Sequence, residues 1–433
     1  MTPLRIGLVG LGNVGGAVWR QLRTQARLLE RRSGRPIVIR RVSSRSPRRL
    51  EELGISKELW SPEWSSLTSD PQLDVIVEVI GGIEEAKKIV ESALHNGKHV
   101  VTANKALLAT HGQALFELAS RQRRHVLFEA SVAGGIPLIK ALREGLVANR
   151  ILSIHGILNG TCNYVLSRMK ERAVEYHEAL TEAKRLGFAE ADERLDVEGH
   201  DAAHKAVILT ALAYGFWPSL ENVYREGIEA IQLEDLCYAE RFGYELKLLA
   251  IIKGHPDGQV EVRVHPTLLP KRHILASVNG PYNAICVQGD VVGETLFYGP
   301  GAGGNPTASA ILSDLAELAR ASSDEAYWER IWREDHGSVR LKPMEDILSR
   351  YYLRLTVEDR PGVLAQIASV FAHHHIGISA VIQPEGHGGA RVPLLVLLHD
   401  AQERAFRSAK KVIEGLPVVE PPAISIRVED ISG

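Results

Sequence analysis

The sequence predicts an α/β protein built from three domains, and three observations support this prediction. Short β-branched segments alternate with longer amphipathic segments up to about residue 130, which is the pattern of parallel strands joined by helices. The pattern then changes to an irregular mixture of strands and helices, and a βαββαβ pattern closes the chain. A length of 433 residues agrees with three domains of ordinary size.

The first predicted domain comprises residues 1–136 and is completed by a returning segment at about 300–322. Its helical segments carry apolar residues at three- and four-residue spacing, as helices packed on a sheet do. The predicted strands are 4–9, 37–42, 75–80, 99–102 and 126–128, and the predicted helices are 15–29, 84–96 and 111–121. This alternation predicts a doubly wound Rossmann domain.

The second predicted domain, residues 137–299, mixes strands and helices without regular alternation. The predicted strands are 151–158, 260–264 and 284–287, and the predicted helices are 164–186 and 202–214. We expect an α+β domain that carries the substrate, the catalytic groups and the dimer contacts. A Gly-rich turn at 299–305 and a helix at 307–320 then lead the chain back to the first domain.

The last part of the chain is predicted to be a separate unit. Residues 323–348 are charged and aperiodic, which is typical of a linker. Within residues 349–433, six segments follow the order strand, helix, strand, strand, helix, strand; they are 351–357, 362–374, 376–382, 391–398, 402–416 and 423–428. This order predicts a ferredoxin-like domain.

Composition and charge exclude several classes of protein. The formal net charge is −2, so nothing favours binding to nucleic acid or to an anionic membrane. The longest apolar run, 206–217, is shorter than the roughly 18–20 residues of a spanning helix. The cysteines, Cys162, Cys237 and Cys286, are too few and too scattered for a disulfide framework. Because no secretory signal precedes the first strand, a cytoplasmic protein is expected.

A glycine-rich turn joins the first predicted strand to the first predicted helix. It has the pattern GxGxxG and consists of Gly10, Gly12, Asn13, Val14 and Gly15, with one leucine between the first two. In this context the first glycine permits a tight turn, the second admits a pyrophosphate, and the third lets the helix pack against the strand. The pattern predicts a dinucleotide site; a glycine turn without a ligand is the alternative.

The end of the second predicted strand is rich in arginine and has no acid before Glu51. Domains that prefer NAD usually carry an acid there for the ribose 2′-hydroxyl. Arginine forks suit a 2′-phosphate instead. We therefore expect NADP(H) to be preferred over NAD(H), with Arg45 as the contact; a solvated basic face is the alternative.

Asp201 and Lys205 are one helical turn apart at the start of an apolar helix. Burial disfavours the charged form of the lysine, while a carboxylate one turn away restores part of it. Such an ammonium can pass a proton to a carbonyl oxygen as hydride arrives at the carbon. An ordinary ion pair is equally compatible with the spacing.

Further charged residues are predicted to lie near this pair. Glu190 and Asp196 belong to an acidic loop directly before the helix, where they are candidates for binding a substrate ammonium, although such runs are usually solvated surface. Lys105 follows the fourth predicted strand, at the sheet edge where doubly wound folds bind ligands.

Several stretches, in order, resemble homoserine dehydrogenases over about residues 4–320. They are GLGNVG at 10–15, EVIGG at 78–82, VVTANK at 100–105, EASVAGGIP at 129–137, GILNGTCN at 156–163, residues 183–205 and GPGAG at 299–303. The most specific is GFAEAD at 187–192, followed by DVEGHD at 196–201. The family usually has proline at Glu193 and an apolar residue at His200, so this chain departs from the family pattern between the functional positions.

The resemblance implies reversible, NAD(P)H-dependent reduction of L-aspartate 4-semialdehyde to L-homoserine, within threonine, methionine and isoleucine biosynthesis. It assigns proton donation to Lys205 and makes Lys105 a second essential lysine that also contacts the cofactor. It assigns substrate binding to Glu190, Asp201 and Asp196.

The resemblance also implies contacts that the residues alone do not suggest. Gly187 and Gly301 match glycines that contact the nucleotide, whereas from the sequence alone they are turn residues. A monovalent cation, Na⁺ or K⁺, is implied, and oxygen-only coordination suits such a hard cation. Its ligands would be the Glu129 carboxylate and the backbone carbonyls of Val132, Gly134 and Ile136.

Residues 350–430 resemble an ACT domain through the stretch LTVEDRPGVLA at 355–365. Asp359 and Gly362 lie at a strand-to-helix turn whose backbone N–H groups could bind an amino-acid effector. The resemblance implies feedback control by L-threonine and edge-to-edge pairing in a homodimer or homotetramer. A domain that only dimerises is the alternative.

Two other classes of protein compete with this interpretation. A phosphorylating aldehyde dehydrogenase would use Cys162 as a thiolate nucleophile, with His155 or His204 to activate it. We favour Cys162 as a small residue packed near the substrate. A non-catalytic NADP sensor with the C-terminal domain as its output is the second alternative.

Overall fold

The structure is a computed structural model that describes residues 2–189, 192–320, 339–384 and 391–431. Glu190 and residues 323–338 of the predicted linker lie outside the described residues. Within these ranges the strands form two sheets, one parallel and one mixed.

The first sheet is parallel throughout. Its strands are β1 (Leu4–Val9), β2 (Ile37–Ser43), β3 (Trp60–Ser61), β4 (Val75–Glu78), β5 (His99–Thr102) and β6 (Val126–Leu127). In the part of the chain that the structure describes, the order is β3-β2-β1-β4-β5-β6. The order reverses between β1 and β4, so the carboxyl ends of these two strands form the crevice where doubly wound sheets bind ligands.

The helices of this domain differ from the predicted ones at their ends. They are α1 (Asn13–Thr24), α2 (Ala26–Ser33), α3 (Arg48–Leu53), α4 (Ser65–Thr68), α5 (Glu84–His95) and α6 (Lys105–Arg121). The single helix predicted over 15–29 is two helices, because the backbone leaves the helical conformation at Gln25. Helix α6 begins six residues before the predicted 111, where the Asn104 side chain accepts the N–H of Leu107 as a cap.

The second domain contains both helices and long antiparallel strands. Its helices are α7 (Leu138–Lys140), α8 (Gly160–Arg172), α9 (Tyr176–Arg185), α10 (Arg194–Val197), α11 (His200–Tyr214) and α12 (Leu233–Arg241). Its strands are β7 (Ile151–Ile157), β8 (Tyr224–Arg225), β9 (Tyr244–Gly254), β10 (Gln259–Pro270), β11 (Tyr282–Gly289) and β12 (Gly293–Pro300). The helix predicted over 164–186 is two helices, separated where Ala173 adopts a left-handed φ of 53°.

The sequence analysis covers only part of β10 and misses β9, β12 and α12. Strands β9 and β10 pair along their whole lengths and are buried over most of their residues. A strand buried on both faces lacks the apolar and polar alternation that marks a half-exposed strand. Helix α13 (Gly304–Arg320) then returns the chain to the first domain and packs against α1.

The C-terminal unit has the predicted order of elements. It contains β13 (Arg340–Leu341), β14 (Leu348–Glu358), α14 (Val363–His373), β15 (Ile378–Ile382), β16 (Arg391–Gln402), α15 (Glu403–Glu414) and β17 (Val419–Val428). Its four longer strands have the order β17-β14-β16-β15. Alternate β14 residues, Leu353 and Leu355 among them, join a separate hydrophobic core with Ile367 and Phe371 of α14 and Phe406 of α15.

The end of the predicted linker is part of the folded structure, which corrects the prediction for residues 339–348. Strand β13 lies parallel to β10, and β17 pairs with β10 at Thr267 and Leu268. The mixed sheet therefore runs from the second domain into the C-terminal unit. This pairing satisfies backbone groups on both sides of the short β8 pairing at the edge of β10.

Candidate active site

The glycine turn joins β1 to α1 as the sequence predicts. Gly10 has a φ of 105°, and a Cβ there would stand 2.7 Å from the carbonyl oxygen that follows β4. A Cβ on Gly15 would lie 2.0 Å from the Gly10 carbonyl oxygen, so α1 packs directly on the turn. A Cβ on Gly12 would meet nothing within 4 Å. The turn therefore has room for a pyrophosphate beside the first N–H groups of α1, at Asn13 and Val14.

Arg45, Arg48 and Arg49 follow β2. Arg45 is exposed in the loop between β2 and α3. Arg49, on α3, donates its Nε–H to the carbonyl oxygen of Leu11 at 3.0 Å and pairs with Glu52. Arg49 therefore braces the glycine turn, whereas Arg45 and Arg48 are the exposed arginines of this segment. The sequence analysis does not single out Arg49, although it belongs to the predicted arginine cluster.

Lys105 begins α6 at the carboxyl end of β5. Glu78, at the end of β4, is fully buried, and burial raises the pKa of its carboxyl. Thr102 donates its hydroxyl to Glu78 at 2.6 Å, and Asn104 donates its amide to the carbonyl oxygen of Gly82 at 2.7 Å. These contacts fix the carboxyl ends of β4 and β5, and Lys105 lies beside them.

Lys105, Asp201 and Lys205 form one ionic cluster between the first and second domains. Asp201 Oδ2 accepts a hydrogen bond from Lys205 Nζ at 2.7 Å, within one turn of α11. Asp201 Oδ1 pairs with the Nζ of Lys105, which belongs to the first domain. Asp201 and Lys205 are each 5% exposed, whereas the Lys105 side chain is 42% exposed. The more accessible lysine therefore lies on the open side of the cluster.

Burial and neighbouring charges set the protonation states of this cluster. Burial lowers the pKa of Lys205; the Asp201 carboxylate opposes that shift, and the Lys105 charge adds to it. Burial by itself would raise the pKa of Asp201, but the charges of Lys205 and Lys105 hold it below its usual range. Asp201 is therefore ionised at neutral pH, and Lys205 releases a proton more readily than a solvated lysine does.

Asp196, on α10, joins the same cluster through hydrogen bonds. Its carboxylate accepts from Asn159 Nδ2 at 2.7 Å and from Thr161 Oγ1 at 3.0 Å. Asn159 Nδ2 also donates to Asp201 at 2.9 Å. Burial raises the pKa of Asp196, and the nearby Asp201 charge adds to that shift. The sequence analysis does not single out Asn159 or Thr161, although both belong to the GILNGTCN stretch.

The remaining predicted ligand residues lie in separate loops around this cluster. Gly187 follows α9 and has a φ of 77°, with open space beside it. Gly301 follows β12, and a Cβ there would lie 2.1 Å from the Asn283 side chain. Glu190 cannot be placed relative to them, because it lies outside the described residues.

The predicted cation ligands lie in one buried loop after β6. Glu129 is 2% exposed, and its carboxylate accepts the backbone N–H groups of Ile139 at 2.9 Å and of Lys140 at 2.8 Å. Val132, Gly134 and Ile136 are also buried. Burial raises the pKa of Glu129, although the two N–H donors oppose that shift.

Cys162 lies against the cluster as a buried thiol. Burial raises its pKa well above the usual value, and the carboxylates of Asp196 and Asp201 add to that shift. The sulphur donates to the backbone carbonyl oxygen of Asp196 at 3.2 Å. His155 lies 3.5 Å from the Glu429 carboxylate instead. These contacts disfavour a thiolate nucleophile at Cys162.

The predicted effector residues lie at the turn between β14 and α14. Gly362 has a φ of 89° and precedes the first helical residue. Asp359 is exposed, and its carboxylate accepts the Gln383 amide at 3.2 Å.

Comparison with known proteins places the chain in a family. A family model described as homoserine dehydrogenase matches residues 137–316, and one described as homoserine dehydrogenase, NAD binding domain, matches residues 10–129. The curated homoserine dehydrogenase of Neisseria gonorrhoeae is 44% identical over 435 residues and covers 100% of each chain. The chain belongs to the homoserine dehydrogenase family.

Other homoserine dehydrogenases agree with this assignment. The enzyme of Pseudomonas aeruginosa is 41% identical over 100% of each chain. A crystal structure of a homoserine dehydrogenase from Thiobacillus denitrificans is 44% identical, with a TM-score of 0.94, over 100% of this chain and 99% of that one. The chain is therefore an NAD(P)-dependent oxidoreductase of amino-acid biosynthesis, and the predicted NAD-binding domain is confirmed.

A shorter relative shows how much of the chain other family members share. A hyperthermophilic archaeal homoserine dehydrogenase in complex with NADPH is 28% identical, with a TM-score of 0.63. It covers 73% of this chain and 98% of its own chain.

Among the helices that the structure describes, none is long and apolar enough to cross a membrane.

Proposed function

We infer that this homoserine dehydrogenase catalyses the reversible reduction of L-aspartate 4-semialdehyde to L-homoserine. The observation that carries this inference is the Lys205 ammonium, buried between Asp201 and the carbonyl oxygen of Leu158, next to the NAD-binding domain. An aldehyde oxygen gains negative charge when hydride reaches its carbon. A preorganised buried ammonium can then stabilise that charge and donate a proton.

The acidic residues of the site suit an amino-acid substrate. Asp196 and Asp201, together with Glu190, supply the anionic groups that recognise a substrate ammonium. Lys105 offers a second, more accessible cation for the substrate or the cofactor.

The dinucleotide supplies the hydride when it is bound. The turn at 10–15 would hold its pyrophosphate, and Gly187, Gly301 and Lys105 would provide further contacts. The exposed Arg45 favours NADP(H), with NAD(H) as the poorer cofactor. The ratio of kcat/KM for NADPH and NADH tests this preference, and equal values for the two cofactors would refute it.

The loop after β6 supports a monovalent cation, Na⁺ or K⁺. Its donors are all oxygens: the Glu129 carboxylate and the carbonyls of Val132, Gly134 and Ile136. Ala133, in the middle of this loop, has a φ of 51°, a conformation rare for a residue with a side chain and common at ligand sites. When bound, the cation would neutralise the buried Glu129 and hold the loop in place.

The C-terminal unit supports regulation. The βαββαβ order and the Asp359–Gly362 turn support an ACT domain that binds L-threonine and pairs edge to edge in a homodimer or homotetramer. A cytoplasmic location agrees with the biosynthetic role. Activity and oligomeric state measured with and without L-threonine test this part, and no change in either would refute it.

The reaction itself is tested with the purified chain. Oxidation of L-homoserine with NADP⁺ or NAD⁺ is followed by the absorbance of the reduced cofactor, and the reverse reaction is followed with aspartate semialdehyde. Turnover in both directions supports the proposal. A protein that binds the dinucleotide but turns over neither compound would refute it.

A further inference from the structure

Two buried asparagines adjoin the Lys205 cluster and carry no charge. Asn159 is 4% exposed and Asn283 is 1% exposed. Neither amide can exchange a proton during the reaction. A buried amide is costly unless its donors and acceptors are paired, so the partners of these two side chains indicate what the side chains do.

Asn159 links the two buried carboxylates. Its Nδ2 lies 2.7 Å from Asp196 Oδ1 and 2.9 Å from Asp201 Oδ2, so each of its two N–H groups serves one carboxylate. Its Oδ1 accepts the N–H of Cys162 at 2.8 Å and caps α8. One neutral amide therefore lies between two carboxylates that would otherwise repel each other.

Asn283 reaches the same cluster from β11. Its Nδ2 donates to the carbonyl oxygen of Leu158 at 3.0 Å, and Lys205 Nζ donates to that same oxygen at 2.6 Å. A Cβ on Gly301 would come within 2.1 Å of the Asn283 side chain, so the space on that side is already filled. Asn283 is thereby confined to the position that holds Leu158.

The Lys205 ammonium has three N–H donors. Within the described ranges, two of them are directed at Asp201 Oδ2 and at the Leu158 carbonyl oxygen, and each acceptor is held by one of the asparagines. We propose that Asn159 and Asn283 are positioning residues that aim the remaining N–H of Lys205 at the carbonyl oxygen of the substrate. This proposal rests on the proposed reduction of an aldehyde.

Asn159→Asp is the sharpest test of the first residue. Aspartate keeps the shape and the cap of α8 but replaces both N–H donors with an acceptor, so three carboxylates then meet. We expect kcat for homoserine oxidation to fall by about 10²-fold, with a smaller change in KM. The acid limb of the kcat–pH profile should move to higher pH, because mutual repulsion retains a proton on the cluster.

Asn163→Ala is the matched control. Asn163 is on the same helix, is 1% exposed, and donates to the backbone carbonyl oxygen of Gly280 at 2.9 Å, away from the charged cluster. The Asn163→Ala variant should have a lower Tm and a kcat–pH profile like that of the wild type. If Asn159→Asp behaves like this control, Asn159 has only a structural role and the proposal fails.

A second measurement on Asn159→Asp does not require turnover. Its loss of Tm relative to wild type should be greater at pH 8 than at pH 5, because the folded cluster binds a proton that the unfolded chain releases. An equal loss at both pH values would overturn the contact network. If wild type fails to oxidise homoserine while this pH effect is present, the proposed function is wrong and the network is right.

Asn283→Ala tests the second residue. It removes the donor that holds the Leu158 carbonyl, and it leaves Asp201 and its partners unchanged. We expect kcat to fall about tenfold or more, while KM for the dinucleotide stays at the wild-type value. A wild-type kcat in this variant would show that Asn283 does not position Lys205.

Discussion

At the scale of single residues, the reactivity of a side chain in this protein depends on the groups that surround it. Lys205 is buried, yet it keeps a carboxylate partner in Asp201 and a backbone acceptor in Leu158. A buried charge without such partners would cost several kcal/mol, so each contact is needed for the ammonium to persist. Burial also lowers the pKa of Lys205, which makes it a better proton donor at neutral pH.

Lys205→Ala should lower kcat by about 10²–10⁴-fold, because the proton donor is lost while the binding groups remain. Steady-state kinetics with homoserine and NADP⁺ measures this effect. Lys247→Ala is the control: Lys247 is 1% exposed and donates to the Val278 carbonyl oxygen at 2.6 Å. We expect that control to lose stability and retain kcat. Equal losses of kcat in the two variants would contradict the assigned role.

Asp201 predicts a pH dependence of stability. The charges of Lys205 and Lys105 hold its pKa below the usual value, so the unfolded chain binds this proton more tightly than the folded chain does. The stabilisation is therefore complete above about pH 4 and is lost as the pH falls further. Thermal melts between pH 7 and pH 3 should show a steeper decline for wild type than for Asp201→Asn. Parallel curves would show that the Asp201 pKa is not shifted.

At the scale of elements, the C-terminal unit is fastened by a buried ion pair between α15 and β17. Glu403 Oε1 accepts from Arg427 Nη2 at 2.6 Å, and Glu403 Oε2 accepts from Arg427 Nε at 2.9 Å. Tyr351, on β14, donates its hydroxyl to the same carboxylate. Arg427 also reaches Glu226 of the second domain at 3.0 Å. Arg427 therefore links β17 to α15, through the shared Glu403 carboxylate to β14, and the C-terminal unit to the second domain.

Glu403→Gln should destabilise the C-terminal unit by roughly 3 kcal/mol, because it leaves a buried guanidinium without its closest anion. The measurement is the shift of the urea unfolding transition. Arg404 lies on the same turn of α15 as Glu403, and Arg404→Ala removes its exposed pair with Asp346, so this variant should change stability little. A similar shift in both variants would mean that burial of the Glu403 pair does not increase its contribution to stability.

At the scale of the whole molecule, the C-terminal strand completes the sheet of the catalytic half. Strand β17 pairs with β10, and Glu429, which follows it, lies 3.0 Å from the buried Arg263. Arg263 is 1% exposed and also pairs with Glu261 at 3.3 Å. The second domain therefore depends on the C-terminal unit for an edge partner and for a counter-charge.

A chain ending at residue 320 should melt at a lower temperature than the full chain and should aggregate, because β10 loses β13 and β17 as edge partners and Arg263 loses Glu429. Thermal melts and size-exclusion chromatography measure both effects. Glu429→Gln in the full chain separates the loss of charge from the loss of the strand. A monodisperse truncated protein with the full-length Tm would contradict this dependence.

The sequence correctly predicts the features that depend on residues close together in the chain. The turn from Gly10 to Gly15 needs only six positions, and the pairing of Asp201 with Lys205 needs one turn of helix. Strand β9 is missed because a strand buried on both faces has no alternating pattern. The break at Ala173 is missed because a left-handed alanine leaves no signal in the sequence.

The sequence by itself therefore determined the α/β class, the dinucleotide-binding turn, the order of elements in the C-terminal unit and the helix that carries Lys205. Only the tertiary structure decided that Lys105 meets Asp201 across two domains, that Asn159 lies between two carboxylates, and that β17 extends the sheet of the second domain. The physical reason is the range of the interactions. Turn geometry and helix spacing act over a few residues, whereas these contacts join positions that folding alone brings within hydrogen-bonding distance.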